Sequence, residues 1–268
     1  MKFELQEFVE ITNGELLVCN GSVGKCSIST DTRTITEGQV YLPLVGANFD
    51  GHDFINNAVE KCCKGYFLDK KHKDKINEYK QANFAILVDD TLEAYLKLAN
   101  AYRKKIDPIV VAVTGSSGKT TTKEMLSSIL SKGYKAHKTI LNHNNEVGLC
   151  QTLLSMPEDT QVLVTEMGMR GPGEIELLSK YAQPDIAIIT NIGSAHIGRL
   201  GSLENIAKAK CEIVKYLHPE GLFIASDSEL LRKTLDWNGN AVFYDTKSYE
   251  IIEQTCENVR FIYKGNEY

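Results

Sequence analysis

The chain has 268 residues, 43% hydrophobic and 24% charged, with a formal charge of −5. That length allows one large or two ordinary globular domains, the acidic balance argues against a nucleic-acid-binding surface, and no apolar run approaches the ~20 residues of a membrane span. Seven scattered cysteines without zinc-site spacing, and an acidic start (Met1-Lys2-Phe3-Glu4-Leu5) unlike a secretory signal, fit reduced thiols in a cytoplasmic protein.

Residues 1 to about 20 suggest a short helix (Leu5, Phe8, Val9), a stop at Asn13-Gly14 and a strand around Leu16-Val18. Ser27–Ser29 and Val40–Val45 read as further strands, the first running into Thr30-Asp31-Thr32-Arg33. The loop Gly46 to His52 is dense in glycine and polar groups, so it can bring backbone close to a ligand. Asp53–Cys63 has helical spacing, and Gly65–Leu68 and Phe84–Val88 are short strands flanking a lysine-rich solvated helix. Thr91–Lys105 is a helix with Thr91 as its expected N-cap, and Asp107-Pro108 ends it at a domain boundary. The expected division is 1–106 and 107–268.

From Ile109 onward strands and helices alternate, the pattern of a parallel sheet with crossover helices. Expected strands are Ile109–Val113, Lys135–Thr139, Val162–Glu166, Ile186–Thr190, Leu222–Ala225 and Ala241–Tyr244; expected helices are Thr120–Leu130, Val147–Ser155, Gly173–Tyr181, Leu203–Leu217 and Ser228–Leu235. Between the first strand and helix stands Gly115-Ser116-Ser117-Gly118-Lys119-Thr120-Thr121. A glycine turn feeding a helix N-terminus aims backbone N–H groups and a positive dipole end at one point, which suits a phosphate. Lys119 supplies a point charge for the outer phosphates, and Thr120 a hydroxyl for magnesium. The position five before Gly118 is Val113 rather than glycine, so only the G-x-x-G-K-T-T core of a P-loop is present.

Ligands in such sheets lie beyond the carboxyl ends of the strands. Glu166 and the loop Asn191–His196 follow strand ends, so both belong on the P-loop rim, Glu166 as a natural magnesium ligand. A strand-end charge that caps the next helix is the plainer reading of Glu166, and a solvated loop side chain that of His196. On a helical projection of 203–217, Lys210 falls in the middle of the apolar stripe Leu203, Ile206, Ala207, Ile213, Val214 and Leu217, whereas Lys208, Glu212 and Lys215 face the other way. A lysine on a buried face either snorkels to the surface or loses its charge readily, becoming a reactive amine.

Four ordered motifs, T-G-S-S-G-K-T-T-T, T-E-M-G-M-R-G-P-G-E-I, T-N-I-G-S-A-H-I-G-R-L-G-S and I-A-K-A-K-C-E-I, resemble the Mur ligases. S-T-D-T-R and V-G-A-N-F-D-G-H-D-F resemble the family's UDP-muramoyl-binding domain. The resemblance covers nearly the whole chain and implies a small α/β UDP-sugar-binding domain followed by a P-loop parallel-sheet ATPase domain. It implies ATP-dependent amide-bond formation in peptidoglycan synthesis, on the branch that adds D-alanyl-D-alanine to UDP-N-acetylmuramoyl-tripeptide through an acyl phosphate. The branch that adds the third amino acid, and a binding module without turnover, are the alternatives.

The resemblance further implies that ATP meets Gly115, Ser116, Ser117, Gly118, Lys119, Thr120, Thr121 and Asn191. Two magnesium ions would be held by Thr120 and Glu166 and by His196 with Lys210, the latter N-carboxylated, so that Lys119, His196 and Lys210 carry the catalysis. The UDP-muramoyl peptide would meet Thr30, Asp31, Thr32, Arg33, Asn48, Asp50, Gly51 and His52, together with Asn144 and Asn145. Two departures stand out: the family's G-N-x-N-N is here Leu141-Asn142-His143-Asn144-Asn145, and Ser226 replaces an asparagine. The chain ends at Tyr268, inside the expected ATPase domain, which implies that this domain is incomplete and that the acceptor domain for D-Ala-D-Ala is absent. On that expectation the chain alone does not catalyse ligation.

Overall fold

The computed structural model describes residues 1–21, 23–195, 197–245, 249–255, 258–263 and 265–268. In chain order it begins with α1 (Leu5–Thr12), β1 (Glu15–Cys19), β2 (Ile28–Ser29), β3 (Val40–Tyr41), α2 (Ile55–Glu60), β4 (Gly65–Asp69), β5 (Phe84–Val88) and α3 (Thr91–Ile106). It continues with β6 (Ile109–Thr114), α4 (Lys119–Leu130), β7 (Ala136–Lys138), α5 (Glu146–Leu154), β8 (Val162–Glu166), α6 (Glu174–Ala182) and β9 (Ile186–Ile189). Last come α7 (Ile197–Leu200), α8 (Leu203–Cys211), β10 (Leu222–Ser226), α9 (Glu229–Thr234), β11 (Asn240–Tyr244), β12 (Tyr249–Gln254), β13 (Val259–Tyr263) and β14 (Asn266–Glu267). The chain divides into two compact units, Met1–Pro108 with Glu146–Gln161, and Ile109–Asn145 with Val162–Tyr268.

The first unit is a five-stranded sheet, order β1-β5-β4-β3-β2, with β1 antiparallel to β5 and the other pairs parallel. β4 and β5 are buried along their whole length, which is why both read as continuous apolar runs. α3 buries Ala94, Tyr95, Leu98, Ala99 and Tyr102; its cap is Asp90, whose side chain accepts from Glu93 N–H at 2.8 Å, and not Thr91, which is the first, buried helical residue. α5, expected among the helices of the parallel sheet, belongs to this unit. Its Leu149, Cys150 and Leu153 are buried, and the following Met156 carbonyl accepts from the Tyr102 hydroxyl at 2.8 Å.

The second unit is a six-stranded parallel sheet, order β11-β10-β9-β6-β8-β7. β6 lies between β8 and β9, where the order of the chain through the sheet reverses, so the carboxyl ends of these three strands form the crevice in which such sheets bind ligands. The expected helix Leu203–Leu217 breaks: α8 stops at Cys211 and Glu212–Tyr216 turns as a 3₁₀ helix. The Glu212 carboxylate accepts from the N–H groups of Gly173 (2.8 Å) and Glu176 (3.2 Å), so it caps α6 rather than facing solvent. Leu203, expected in the buried stripe, is 40% exposed. β12–β14 form a small antiparallel meander that the alternation pattern did not anticipate. Among the described residues six cysteines are free thiols, and no helix is long and apolar enough to cross a membrane.

Candidate active site

The glycine turn after β6 is built by a second loop rather than by itself. Asn191, just beyond β9, accepts from Ser117 N–H through Oδ1 (3.1 Å) and donates through Nδ2 to the Ser117 hydroxyl (2.8 Å), while its carbonyl accepts from Ser116 N–H. Thr190 donates its hydroxyl to the Ser117 carbonyl at 2.6 Å, and Ser116 and Gly193 exchange two bonds near 3 Å. Asn191 therefore braces the turn. Gly115 is packed so closely beneath this loop that a Cβ there would fall 1.8 Å from Thr190 Oγ1. Gly118, at φ 77°, opens α4 from the left-handed region, where a glycine costs least. Lys119 donates to the Gly115 carbonyl at 2.9 Å, folding its ammonium across the turn.

Glu166 ends β8, 3% exposed, and both of its oxygens are engaged. Oε2 accepts from the Thr120 hydroxyl at 2.9 Å, and Oε1 from Asn144 Nδ2 at 2.9 Å. Its own N–H donates to the buried Thr139 hydroxyl at 3.1 Å, so side chain and backbone are held from three elements. Asn144, expected against substrate, thus spends its amide on Glu166. A carboxylate and a hydroxyl beside a phosphate-binding turn form a hard-oxygen set that fits magnesium. Lys210 is 2% exposed in the last turn of α8, and burial, with the like charge of Lys119, pushes its ammonium down to about 8. Lys208 is exposed, as its place on the helix requires. His196, the other expected metal ligand, lies outside the described residues.

Sequence reasoning missed Lys123. It is wholly buried one turn into α4, donating to the Leu141 carbonyl at 3.1 Å, with Glu124 Oε1 at 3.1 Å and Glu166 Oε2 at 3.9 Å. The signal was available: Lys123 follows Lys119 by four, which puts it on the same face of the helix as the P-loop lysine.

The first unit carries a pocket of about 500 Å³, lined by Thr30, Asp31, Thr32, Arg33 and Gly51 of the expected set. Tyr41, Phe49 and Gln151 also line it, and the last of these comes from α5. Arg33 forks onto Asp31, Nε and Nη2 both reaching its carboxylate, and this hydrogen bond with that of the Arg33 backbone holds the carboxyl down to about 2. Gly51 approaches the Leu44 backbone so closely that a Cβ would fall 2.7 Å from Leu44 N and O. Asn48, Asp50 and His52, expected to touch ligand here, do not line the pocket. His52 is wholly buried: Nδ1 lies 2.7 Å from Asp50 Oδ1 and Nε2 accepts from Asp69 N–H at 3.2 Å. His72 stacks on its ring at 3.8 Å, with Nδ1 2.7 Å from Asp69 and Nε2 3.0 Å from Asp50. Asp50, His52 and His72 are close enough to share a metal ion, but their ring nitrogens are already engaged. They tie the loop carrying Gly51 to the end of β4.

A parallel sheet with a glycine turn after its central strand, and a carboxylate and hydroxyl beside that turn, define a P-loop nucleotide-binding protein. Residues 113–266 match the Mur ligase middle domain, and residues 27–103 match the Mur ligase family, catalytic domain. The chain belongs to the Mur ligase family. The UDP-N-acetylmuramoyl-tripeptide–D-alanyl-D-alanine ligase of Bacillus subtilis (strain 168) is 41% identical over 250 residues, covering 90% of this chain and 52% of that protein. The enzyme of the same name from Escherichia coli (strain K12) is 34% identical over 82% of this chain and 47% of its own length. The chain thus spans about half the length of the curated relatives it matches. A crystal structure of MurF from Acinetobacter baumannii superposes with a TM-score of 0.85 at 29% identity, covering 100% of this chain and 60% of that one. The MurF ligase of Thermotoga maritima in complex with ADP gives 0.80 at 30% identity, over 91% and 57%.

Proposed function

We propose that this chain binds ATP and UDP-N-acetylmuramoyl-tripeptide for an ATP-dependent ligase reaction that adds D-alanyl-D-alanine to the tripeptide. The observation that carries the reading is the Thr120–Glu166 hydrogen bond at the mouth of the glycine turn, a magnesium-ready pair beside a phosphate cradle. In this reading the N–H groups of the turn and Lys119 hold the β- and γ-phosphates. Lys119 exchanges its bond to the Gly115 carbonyl for phosphate oxygens. Thr120 and Glu166 would hold one magnesium, and Lys210 with His196 a second. Magnesium, when bound, offsets charge on the phosphoryl oxygens as the γ-phosphate passes to the tripeptide carboxylate. The D-Ala-D-Ala amine then displaces phosphate from the acyl phosphate.

Lys210 serves this scheme as its carbamate. At pH 7 an ammonium with a value of about 8 is roughly one-tenth neutral. The free amine attacks carbon dioxide, forms an N–C bond and releases a proton, leaving an anionic oxygen ligand. The Thr30–Arg33 turn and Gly51 meet the UDP sugar, and the exposed ring of Phe49 offers an apolar face to the base.

Isothermal titration with ADP and with UDP-N-acetylmuramoyl-tripeptide, with and without magnesium, tests both sites. Binding of neither ligand would sink the reading. Arg33→Ala should weaken the UDP-peptide about tenfold, roughly 1.4 kcal/mol, since it removes a polar lining group and frees Asp31. ADP affinity should stay unchanged, and unaltered UDP-peptide affinity would exclude the turn as its site. The Asp31 carboxyl is stabilised relative to the unfolded chain, so this contribution is present above about pH 4 and is lost as pH falls through about 2.

A further inference from the structure

Leu141 has a backbone φ of 51°, in the left-handed region that costs a side chain about 1–2 kcal/mol. Its side chain is 72% exposed, so packing does not repay that strain. The only side chain bonded to its backbone, among the described residues, is Lys123, whose Nζ donates to the Leu141 carbonyl. Two further bonds shape the turn that follows, His143 N–H to the Ile140 carbonyl and Asn144 N–H to the Asn142 carbonyl. Asn144 then reaches Glu166 with its amide, and its carbonyl accepts from Gly168 N–H at 2.8 Å. The fit is close, since a Cβ on Gly168 would lie 2.7 Å from the Asn144 side chain.

We propose that Lys123 is a positioning residue for magnesium: by holding the strained Leu141 carbonyl from inside α4, it sets the turn that presents Asn144 to Glu166 and so aims the carboxylate. The inference rests on the nucleotide reading above. A wholly buried ammonium is costly to keep, and Lys123 recovers that cost from one carbonyl and two carboxylates, all on elements that border the P-loop. Without it, Leu141 relaxes out of the left-handed region, Asn144 withdraws, and Glu166 loses one of its two side-chain hydrogen bonds along with the nearby Lys123 charge. Glycine at 141 takes up the same backbone angle without a Cβ clash, so it should replace what Lys123 does for the turn.

The test is the gain in ADP affinity that magnesium confers, measured by titration calorimetry with ADP in magnesium and in chelator. Lys123→Met should lose about tenfold of that gain while binding ADP in chelator as the wild type does, a split that general destabilisation would not produce. Lys123→Met with Leu141→Gly should recover most of the gain. Should Lys123→Met fail to fold, Leu141→Val keeps the lysine, adds a β-branched residue at a positive φ, and should lower the gain several-fold. A full gain in Lys123→Met, no recovery in the double variant, or a full gain in Leu141→Val each overturns the inference. A wild-type chain that gains nothing from magnesium overturns the metal reading and the inference with it.

Discussion

Gly115→Ala is expected to lower the melting temperature by roughly 4–12 °C and to weaken ADP binding at least 100-fold. The added Cβ would lie 1.8 Å from Thr190 Oγ1, 3.1 Å from Thr190 Cβ and 3.3 Å from Asn191 N. Thr190 cannot swing away freely, because its hydroxyl donates to the Ser117 carbonyl and lies 3.3 Å from the Thr114 carbonyl. Relief therefore requires backbone movement, which in a tightly packed interior costs about 1–3 kcal/mol, and the lost bond adds to it. For a chain of this size each kcal/mol is about 2–4 °C. The turn that moves is the one whose N–H groups would hold phosphate, so binding suffers more than stability. Thr190→Ala removes the clashing oxygen and should return part of the lost stability in the double variant. A melting temperature within a degree of wild type would show that the loop tolerates the methyl and that the bracing argument fails.

Lys210→Met should do the opposite to stability and the same to function. Folding depresses the Lys210 ammonium from its ordinary 10.5 to about 8, chiefly by burial and then through Lys119. Between those values the unfolded chain holds a proton that the folded chain has released, so this residue makes stability rise with pH from about 8 to 10.5. Below pH 8 the full penalty is present, about 3 kcal/mol at 1.36 kcal/mol per unit. Methionine is of similar length and carries no charge, so at pH 7, with bicarbonate excluded so that Lys210 stays a free amine, the variant should be more stable than wild type by up to about 3 kcal/mol in denaturant titration. The difference should close as pH approaches 10.5. Magnesium-dependent nucleotide binding should fall at the same time, while Lys208→Ala, on the exposed side of α8, should alter neither quantity. Reversal of the two lysines' effects would refute the placement. Labelled bicarbonate with carbon-13 detection reads the carbamate directly, and a carbamate resonance that persists in Lys210→Met would assign it elsewhere.

The stability gained by Lys210→Met would place the lysine among residues kept for chemistry at the expense of folding. Gly115 is different, because its loss harms both. The comparison separates a group that the fold tolerates from one on which the fold depends.

Much of this was legible from local sequence. Strand β6, the glycine turn and helix α4 follow from a β-branched run, two glycines and a helix-forming continuation, all between Ile109 and Leu130. Alternating strands and helices implied a parallel sheet, and the geometry of such sheets placed Glu166 and Asn191 on the P-loop rim, where they are found at hydrogen-bonding distance. The burial of Lys210 was readable because helical period puts it on the same face as Ile206 and Ala207, which are buried with it.

What the sequence could not decide are the matters set by contacts between distant segments. The break after Cys211 comes from Glu212 capping a helix that begins nearly forty residues earlier, a bond to which a helical projection is blind. His52 looked like a ligand-facing side chain because its loop is polar, yet the Asp50 carboxylate, the Asp69 N–H and the stacked ring of His72 turn it inward. α5 joined the first unit because its buried residues pack there, which periodicity cannot foretell. Lys123 and Leu141 are the sharpest case. Local propensity puts a lysine on the surface and glycine at a left-handed turn. Only the tertiary structure brings the two together, so that a buried charge can stabilise a backbone angle that the side chain at 141 disfavours.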